Sequence, residues 1–249
     1  MRRGRHWRSA ATLRIDRTLL PIDAIPRKEV LRYLGYRGQA LSAELDARVD
    51  GMMARVLEVA RPLAALRSYP VAREACCDAP PAVALEGTTL RLTGDDAARH
   101  LTGAREVVLF AVTLGAGVDL ELRRLALVDA VGQVVFDAAA SAAVERVADA
   151  AEALVRSYAA DKGAFCGWRF SPGYGDLPLE VQPAFLQSLD ATRRLGITLT
   201  PGNLMVPTKS VTAFVGIHDT VQEGLASSCE LCSLADFCAL RARGVTCRV

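Results

Sequence analysis

The chain has 249 residues, 51% of them hydrophobic by a broad count, so it can bury a full core without disulfide or metal staples. A net charge of +2 gives no global electrostatic case for nucleic acid or for an acidic membrane surface. The longest near-apolar run, residues 107–120, is broken by Thr113, Gly115, Gly117 and Asp119 and is too short to span a bilayer.

The chain opens with an arginine-rich, acid-free stretch. No apolar region of signal-peptide length follows the Arg2-Arg3 pair, and Asp16 and Arg17 arrive early. Residues 1–20 therefore read as a basic, solvated arm. Pro26 sits where a helix can start, Glu29 to Tyr33 continue it, and Gly35 can end it. Leu41, Leu45, Val49, Met52, Met53, Val56, Leu57 and Ala60 recur at helical spacing, which predicts an amphipathic helix to about Arg61, stopped by Pro62. Residues 69–76 alternate as a strand would. Val83 and Leu85, a turn at Gly87, then Leu90 and Leu92 predict a hairpin. A short helix follows over 95–101, with Thr93 or Asp95 as its cap.

The continuous apolar run 107–114 predicts a central strand buried on both faces. Gly115-Ala-Gly117 behind it is half of a dinucleotide fingerprint. Leu120 stands where the third glycine belongs, so a tight strand-to-helix turn is the better reading, leading into a helix over 118–128. Residues 137–158 form a long alanine-rich helix, and Ala138 to Ala143 permit close backbone approach. Glu145, Asp149 and Glu152 share one face of it, which composition alone reads as a solvated stripe. Residues 165–170 predict a strand. Residues 179–195 predict a helix with Asp176 as cap, Pro178 in the first turn and Gly196 after its end. Residues 197–200, a turn at Pro201-Gly202-Asn203 and residues 209–217 close the region as a hairpin.

At the end of the strand over 165–170 and ahead of the helix over 179–195 lies the stretch most suited to holding a ligand, residues 169–178. Pro172 and Pro178 remove two backbone donors, while Gly173 and Gly175 admit φ angles other residues avoid. Arg169 offers a fork for a carboxylate, Tyr174 a flat face with a polar tip, and Asp176 an acceptor. These groups suit a carboxylate-bearing ligand with an aromatic ring, and an ordinary surface turn has the same composition.

The arrangement Arg169-x-x-Pro172-Gly173-Tyr174-x-x-x-Pro178 resembles the signature of the S-adenosylmethionine-binding reactivation domain of cobalamin-dependent methionine synthase. Pro207-Thr-Lys209-Ser210, with the surrounding segment 199–217, and the run 107–119 leading to the helix of Glu145 are similar to the same family. The resemblance spans about residues 27–217 and is closer to free-standing bacterial versions than to the domain fused to the large enzyme. It implies an α+β fold, with an antiparallel sheet region and long packed helices, in a domain 21–226 followed by a cysteine-rich tail 227–249. It also implies a cytoplasmic activator that binds S-adenosylmethionine and supports the reductive methylation of cobalamin. Residue by residue, Arg169 would hold the methionyl carboxylate, Ser171 and Gly173 would receive the adenine or ribose through their backbone, Tyr174 would shape the pocket, and Glu145 would pair with the ammonium, with Asp149 and Glu152 as rivals.

Ser171 stands where the fused form usually has alanine, which a backbone contact tolerates. The acidic ligand near the start of the family's fused domain has only Asp16 and Asp23 as candidates here. The Asp-x-His-x-x-Gly arrangement that gives a histidine to cobalt is absent. The resemblance therefore implies that cobalamin sits on a separate methionine synthase or other corrinoid protein, with a flavodoxin-like reductant as a possible electron source.

Seven cysteines, an odd number, argue against a disulfide framework and for a reduced setting. Cys229-x-x-Cys232-x5-Cys238-x8-Cys247 can supply four thiolates to an iron–sulfur cluster or a structural zinc, or remain unligated, and its spacing matches neither a ferredoxin run nor a standard zinc finger. That tail motivates an alternative function, an iron–sulfur electron-transfer or corrinoid-docking module without methyl transfer. Cys76 and Cys77 are adjacent and point to opposite sides of a strand, and Cys166 reads as a small apolar filler. Lys209 suits an acidic partner surface, corrin side-chain groups or, equally, a strand edge. Trp168 reads as core and His218 as a satisfied surface histidine. The histidines at 6, 100 and 218 lie far apart and suggest no multi-histidine metal centre.

Overall fold

The computed structural model describes residues 13–72 and 81–221. Its first element lies inside the expected basic arm. Strand β1 (Arg14–Leu19) pairs antiparallel with β2 (Leu63–Pro70), so the sheet begins several residues before position 21. Ile15 packs against the core while Arg14 and Arg17 are exposed, which a reading by charge alone misses.

Helix α1 (Arg27–Tyr33) starts behind Pro26 and ends before Gly35, whose φ of +73° closes the turn. Helix α2 (Ala43–Val59) is capped by Ser42, whose side chain accepts from the Leu45 amide at 3.2 Å. It stops ahead of Pro62, as the spacing predicts. The strand expected over 69–76 instead starts immediately after Pro62. Ala64, Ala65 and Leu66 are buried on both faces of β2, so no alternation marks them. Cys76 and Cys77 lie outside the described residues.

The hairpin is present as β3 (Ala82–Ala84) and β4 (Arg91–Thr93), followed by α3 (Asp95–His100). Strand β5 (Glu106–Thr113) runs through the centre of the sheet with seven of its eight residues buried. Gly115 turns the chain at φ +83° into α4 (Ala116–Val128). A Cβ on Gly117 would stand 2.9 Å from the Val59 carbonyl oxygen, so this glycine serves the close packing of α4 on α2. Helix α5 (Ala130–Asp161) begins seven residues before the expected start, because the Asp129 side chain accepts from the Gly132 amide at 2.9 Å. Its 32 residues extend about 48 Å at the standard rise.

After β6 (Phe165–Cys166), the expected helix over 179–195 is divided. A 3-10 turn (Leu179–Val181) precedes α6 (Gln182–Leu189), and Asp190 in the left-handed region at φ +52° separates it from α7 (Ala191–Leu195). The closing hairpin is local: β7 (Thr198–Leu199) pairs with β8 (Met205–Val206). Strand β9 (Ser210–His218) instead joins the large sheet, whose antiparallel order is β1-β2-β5-β9-β6.

Both sheet faces are covered, which is why the run Val107–Val112 of β5 is apolar on both sides. Val108, Phe110 and Val112 face α1, α2, α4 and α5, where Ala138, Ala139, Ala142 and Ala143 allow the long helix to lie close. Val107, Leu109 and Ala111 face the opposite layer of α3, α6, α7 and the β3–β4 hairpin. The fold is a mixed helix and antiparallel-sheet architecture, and the clamp stretch crosses from one covering layer to the other.

Candidate functional site

The chain emerging from β6 rejoins the sheet edge at one point, where Phe170 and Phe214 exchange backbone hydrogen bonds at 2.9 and 2.8 Å. Alternation about that bridge sends Phe170 toward α3 and Arg169 toward α5. Phe170 joins an aromatic nest with His100, Trp168 and Phe214, with ring centroids 5.1 to 5.7 Å apart around the histidine.

Arg169 meets the acidic stripe of α5. Its Nη2 donates to Glu145 at 2.8 Å, and its Nη1 donates to Asp149 at 2.6 Å and to Glu152 at 3.0 Å. Burial opposes the guanidinium charge, but hydrogen bonding to Asp149 and the charges of all three acids outweigh it and push its pKa above the ordinary arginine value. The stripe is therefore paired with an arginine, with Glu145 and Asp149 still partly open to solvent. Two further arginines flank it: Arg156 pairs with Glu152 and donates to the Cys166 sulfur at 3.7 Å, and Arg146 lies 3.8 Å from Asp149. Burial pushes the Cys166 thiol up, so it stays protonated at neutral pH.

The rest of the clamp folds on itself. Gly173, at φ +87°, donates to the Leu177 carbonyl at 2.9 Å, and Tyr174 donates to that of Ser171 at 3.1 Å. Leu177 is buried beneath the loop, while the Tyr174 side chain is exposed. Asp176 does not cap the helix that follows it. Its carboxylate accepts from the amides of Asp95 and Asp96 at 2.6 and 3.1 Å, and the Asp96 carboxylate accepts from the Asp176 amide at 3.3 Å. This reciprocal arrangement replaces the expected caps Thr93 and Asp95, and the N-cap position of α3 is Gly94. A Cβ on Gly94 would fall 2.4 Å from Asp176, and one on Gly175 2.2 Å from Asp96, so two glycines let the loop seat on the helix.

Of the expected site residues, Arg169 and Glu145 are in direct contact, and Ser171, Gly173 and Tyr174 lie on the loop that continues from Arg169. Asp149 and Glu152 belong to the same cluster. Tyr33 on α1 stands near Glu145: burial first, and then that carboxylate's charge, raise the tyrosine's pKa. Upstream on the same side of α5, a cavity of about 300 Å³ lies between Tyr33, Gln133, Val134, Asp137 and Ser141. Asp16 is elsewhere, paired with Arg14 at 2.8 Å and with Arg194 of α7 at 3.2 Å, on the opposite layer. Lys209 is not poised for a partner. It donates to Ser141 at 2.9 Å and pairs with Asp137 at 2.8 Å, which fastens the start of β9 to α5. His218 is fully buried rather than on the surface, and burial lowers its pKa.

Among the described residues, no group of three or more His, Cys, Asp or Glu is arranged to hold a metal ion. Cys229, Cys232, Cys238 and Cys247 lie outside the described residues. No helix among those residues is long and apolar enough to cross a membrane.

These features define an α+β domain whose antiparallel sheet presents an arginine-bearing loop to an acidic helix. The chain belongs to the family of the vitamin B12 dependent methionine synthase activation domain, whose family model matches residues 95–239. The matched span runs from α3 across the expected boundary at 226 and takes in Cys229, Cys232 and Cys238, but not Cys247. Among solved structures, the chain is similar to the crystal structure of the MetH reactivation domain bound to AdoHcy. The TM-score is 0.59 and the identity 17%, over 92% of this chain and 86% of that one. No curated protein matches the chain.

Proposed function

We propose that this chain binds S-adenosylmethionine between the 169–178 loop and helix α5, and that it supports the reductive methylation of cobalamin carried by a separate methionine synthase or other corrinoid protein. The observation that carries this reading is the placement of Arg169, first residue of the Arg-x-x-Pro-Gly-Tyr motif, in direct contact with Glu145. One cation and one anion, fixed by different elements, match the carboxylate and ammonium of an α-amino acid ligand. The family membership and the AdoHcy bound to the similar reactivation domain support the choice of ligand.

In this reading Arg169 takes the methionyl carboxylate, Glu145 takes the ammonium, and the backbone at Ser171 and Gly173 receives the nucleoside, with Tyr174 at the rim. Cobalt on the partner's cobalamin, reduced by one electron from an outside reductant of the flavodoxin type, would take the methyl group from the bound sulfonium, breaking its S–CH3 bond and leaving S-adenosylhomocysteine in the site. The chain's own contribution is positioning and exclusion of water around the sulfonium. The described histidines do not suit a cobalt ligand, since His100 and His218 are only 4% and 0% exposed.

Titration calorimetry with S-adenosylmethionine tests the proposal. Saturable one-to-one binding is expected, weakened at least about tenfold by Arg169→Ala, the scale of losing one charge-assisted contact. Absence of heat from the folded wild-type protein, or an unchanged affinity in the variant, overturns it.

A further inference from the structure

A bidentate hold on a ligand carboxylate takes two N–H groups of Arg169, whose Nη1 and Nη2 already serve three internal carboxylates, so ligand and acids compete for one guanidinium. A buried or half-buried guanidinium is expensive to leave unpaired, and so are the acids it abandons. The question is where Glu145, Asp149 and Glu152 go when the ligand arrives.

The pairing around them differs in a consistent way. Glu152 has a second cation, Arg156, four residues further along α5. Asp149 has a second cation, Arg146, three residues before it, within 3.8 Å. Glu145 has no such neighbour. The helix places Ser141, Ala142, Ala148 and Asp149 at its three- and four-residue positions, and its one ion pair among the described residues is with Arg169. When Arg169 turns to a ligand carboxylate, Asp149 and Glu152 each keep a partner, and Glu145 is the acid left over. The arrangement thus selects Glu145 over its two rivals for the ligand's ammonium.

We infer that helix α5 carries a counter-ion relay, in which Arg156 and Arg146 take over Glu152 and Asp149 so that Arg169 can exchange its internal carboxylates for that of the ligand. Arg156 and Arg146 are positioning residues and need not touch the ligand. The inference rests on the reading of the clamp as an S-adenosylmethionine site. It adds that the acids of α5 compete with the ligand for Arg169, and that the two outer arginines set how readily Arg169 exchanges them.

The relay makes a prediction that neither a ligand contact nor a merely structural role shares. Arg156→Ala removes the fallback for Glu152, so Glu152 competes with the ligand for Arg169, and S-adenosylmethionine affinity by calorimetry falls about tenfold. Glu152→Gln removes the competitor, so its affinity equals or exceeds that of the wild type. In the double variant the affinity returns to the level of Glu152→Gln alone, since no acid remains to be handed over. Arg146→Ala with and without Asp149→Asn repeats the cycle with a smaller effect, because that pair is longer and more exposed. Arg156 is largely exposed, so the variant is expected to fold, and a thermal melt checks this. The relay is overturned by an Arg156→Ala protein that binds like wild type, or by a loss that Glu152→Gln does not restore. If the wild-type protein takes up no S-adenosylmethionine, the functional reading itself is wrong and the relay falls with it.

Discussion

At the C-terminal end of α5, Lys162 and Tyr158 converge on Glu106 of strand β5, with Nζ to carboxylate at 2.9 Å and phenol to carboxylate at 2.6 Å. Midway along the same helix, three acids converge on Arg169. The first cluster is closed: the side chains of Lys162 and Glu106 are 13% and 12% exposed, and one cation serves one acid. The second is open: Glu145 and Asp149 are 41% and 48% exposed, and the acids outnumber the central cation. Charge alone does not tell a lock from a binding site. The redundancy of partners does, because a lock has one satisfied arrangement, whereas a site needs a second one of comparable free energy.

The largest effect separating the two is expected at the lock. Glu106→Gln leaves the half-buried Lys162 ammonium without its anion and should lower unfolding free energy by about 2 kcal/mol in urea, with ligand affinity of the folded protein unchanged. A normal denaturation midpoint would mean that the end cluster is as interchangeable as the middle one. Arg169→Ala should do the reverse. Binding weakens at least about tenfold, and because the site is partly solvated the stability change is only about 1 kcal/mol in the same titration.

Asp176→Ala sharpens the comparison from the other end of the clamp. The loop is anchored to α3 by two amides on a carboxylate, so its removal should cost about 1 kcal/mol of stability. The affinity loss should be smaller than for Arg169→Ala, because the loop still turns on its internal bonds. Equal losses would make the Asp176 anchor as important to the ligand as Arg169.

The smallest effect is in the pH profile of stability. Burial opposes the charge on Glu106, but hydrogen bonds from Ser68, Tyr158 and Lys162 outweigh it and hold the carboxyl below its ordinary 4.5. Its contribution is therefore present above pH 4.5 and is lost as pH falls from there through the lowered value. Burial likewise opposes the Lys162 charge, yet Tyr158 and Glu106 raise its pKa above 10.5, so its contribution holds below that pH and is lost as pH rises through the raised value. Urea midpoints across pH should lose part of both limbs in Glu106→Gln. Limbs identical to wild type would remove Glu106 from the account.

Much of the architecture was legible along the chain. The spacing of Val49, Met52, Val56 and Leu57 marked α2, and Pro62 marked its end, because amphipathic period and proline act locally. The apolar run before Gly115 marked the central strand for the same reason. Strand β2 was misplaced because its small residues are buried on both faces and give no period. Strand β1 was hidden by its arginines, since an edge strand can keep charges on one side. At the site, the motif singled out Arg169, Ser171, Gly173 and Tyr174, and helical spacing put Glu145, Asp149 and Glu152 together. Whether the stripe faced water or an arginine depended on a contact between residues 17 to 24 positions apart across a turn.

The sequence by itself determined the periods of the helices, the turns at glycine and proline, and the family resemblance carried by the Arg-x-x-Pro-Gly-Tyr motif. Those are properties of a few consecutive side chains and the backbone beneath them. Only the tertiary structure decided that Asp176 caps a helix 80 residues earlier, that Lys209 is spent on α5, and that Arg169 rests on three acids of that helix. Each of these is a pairing of charged or polar groups. Their partners are chosen by which elements the hydrophobic core brings side by side, and local pattern is silent about that choice.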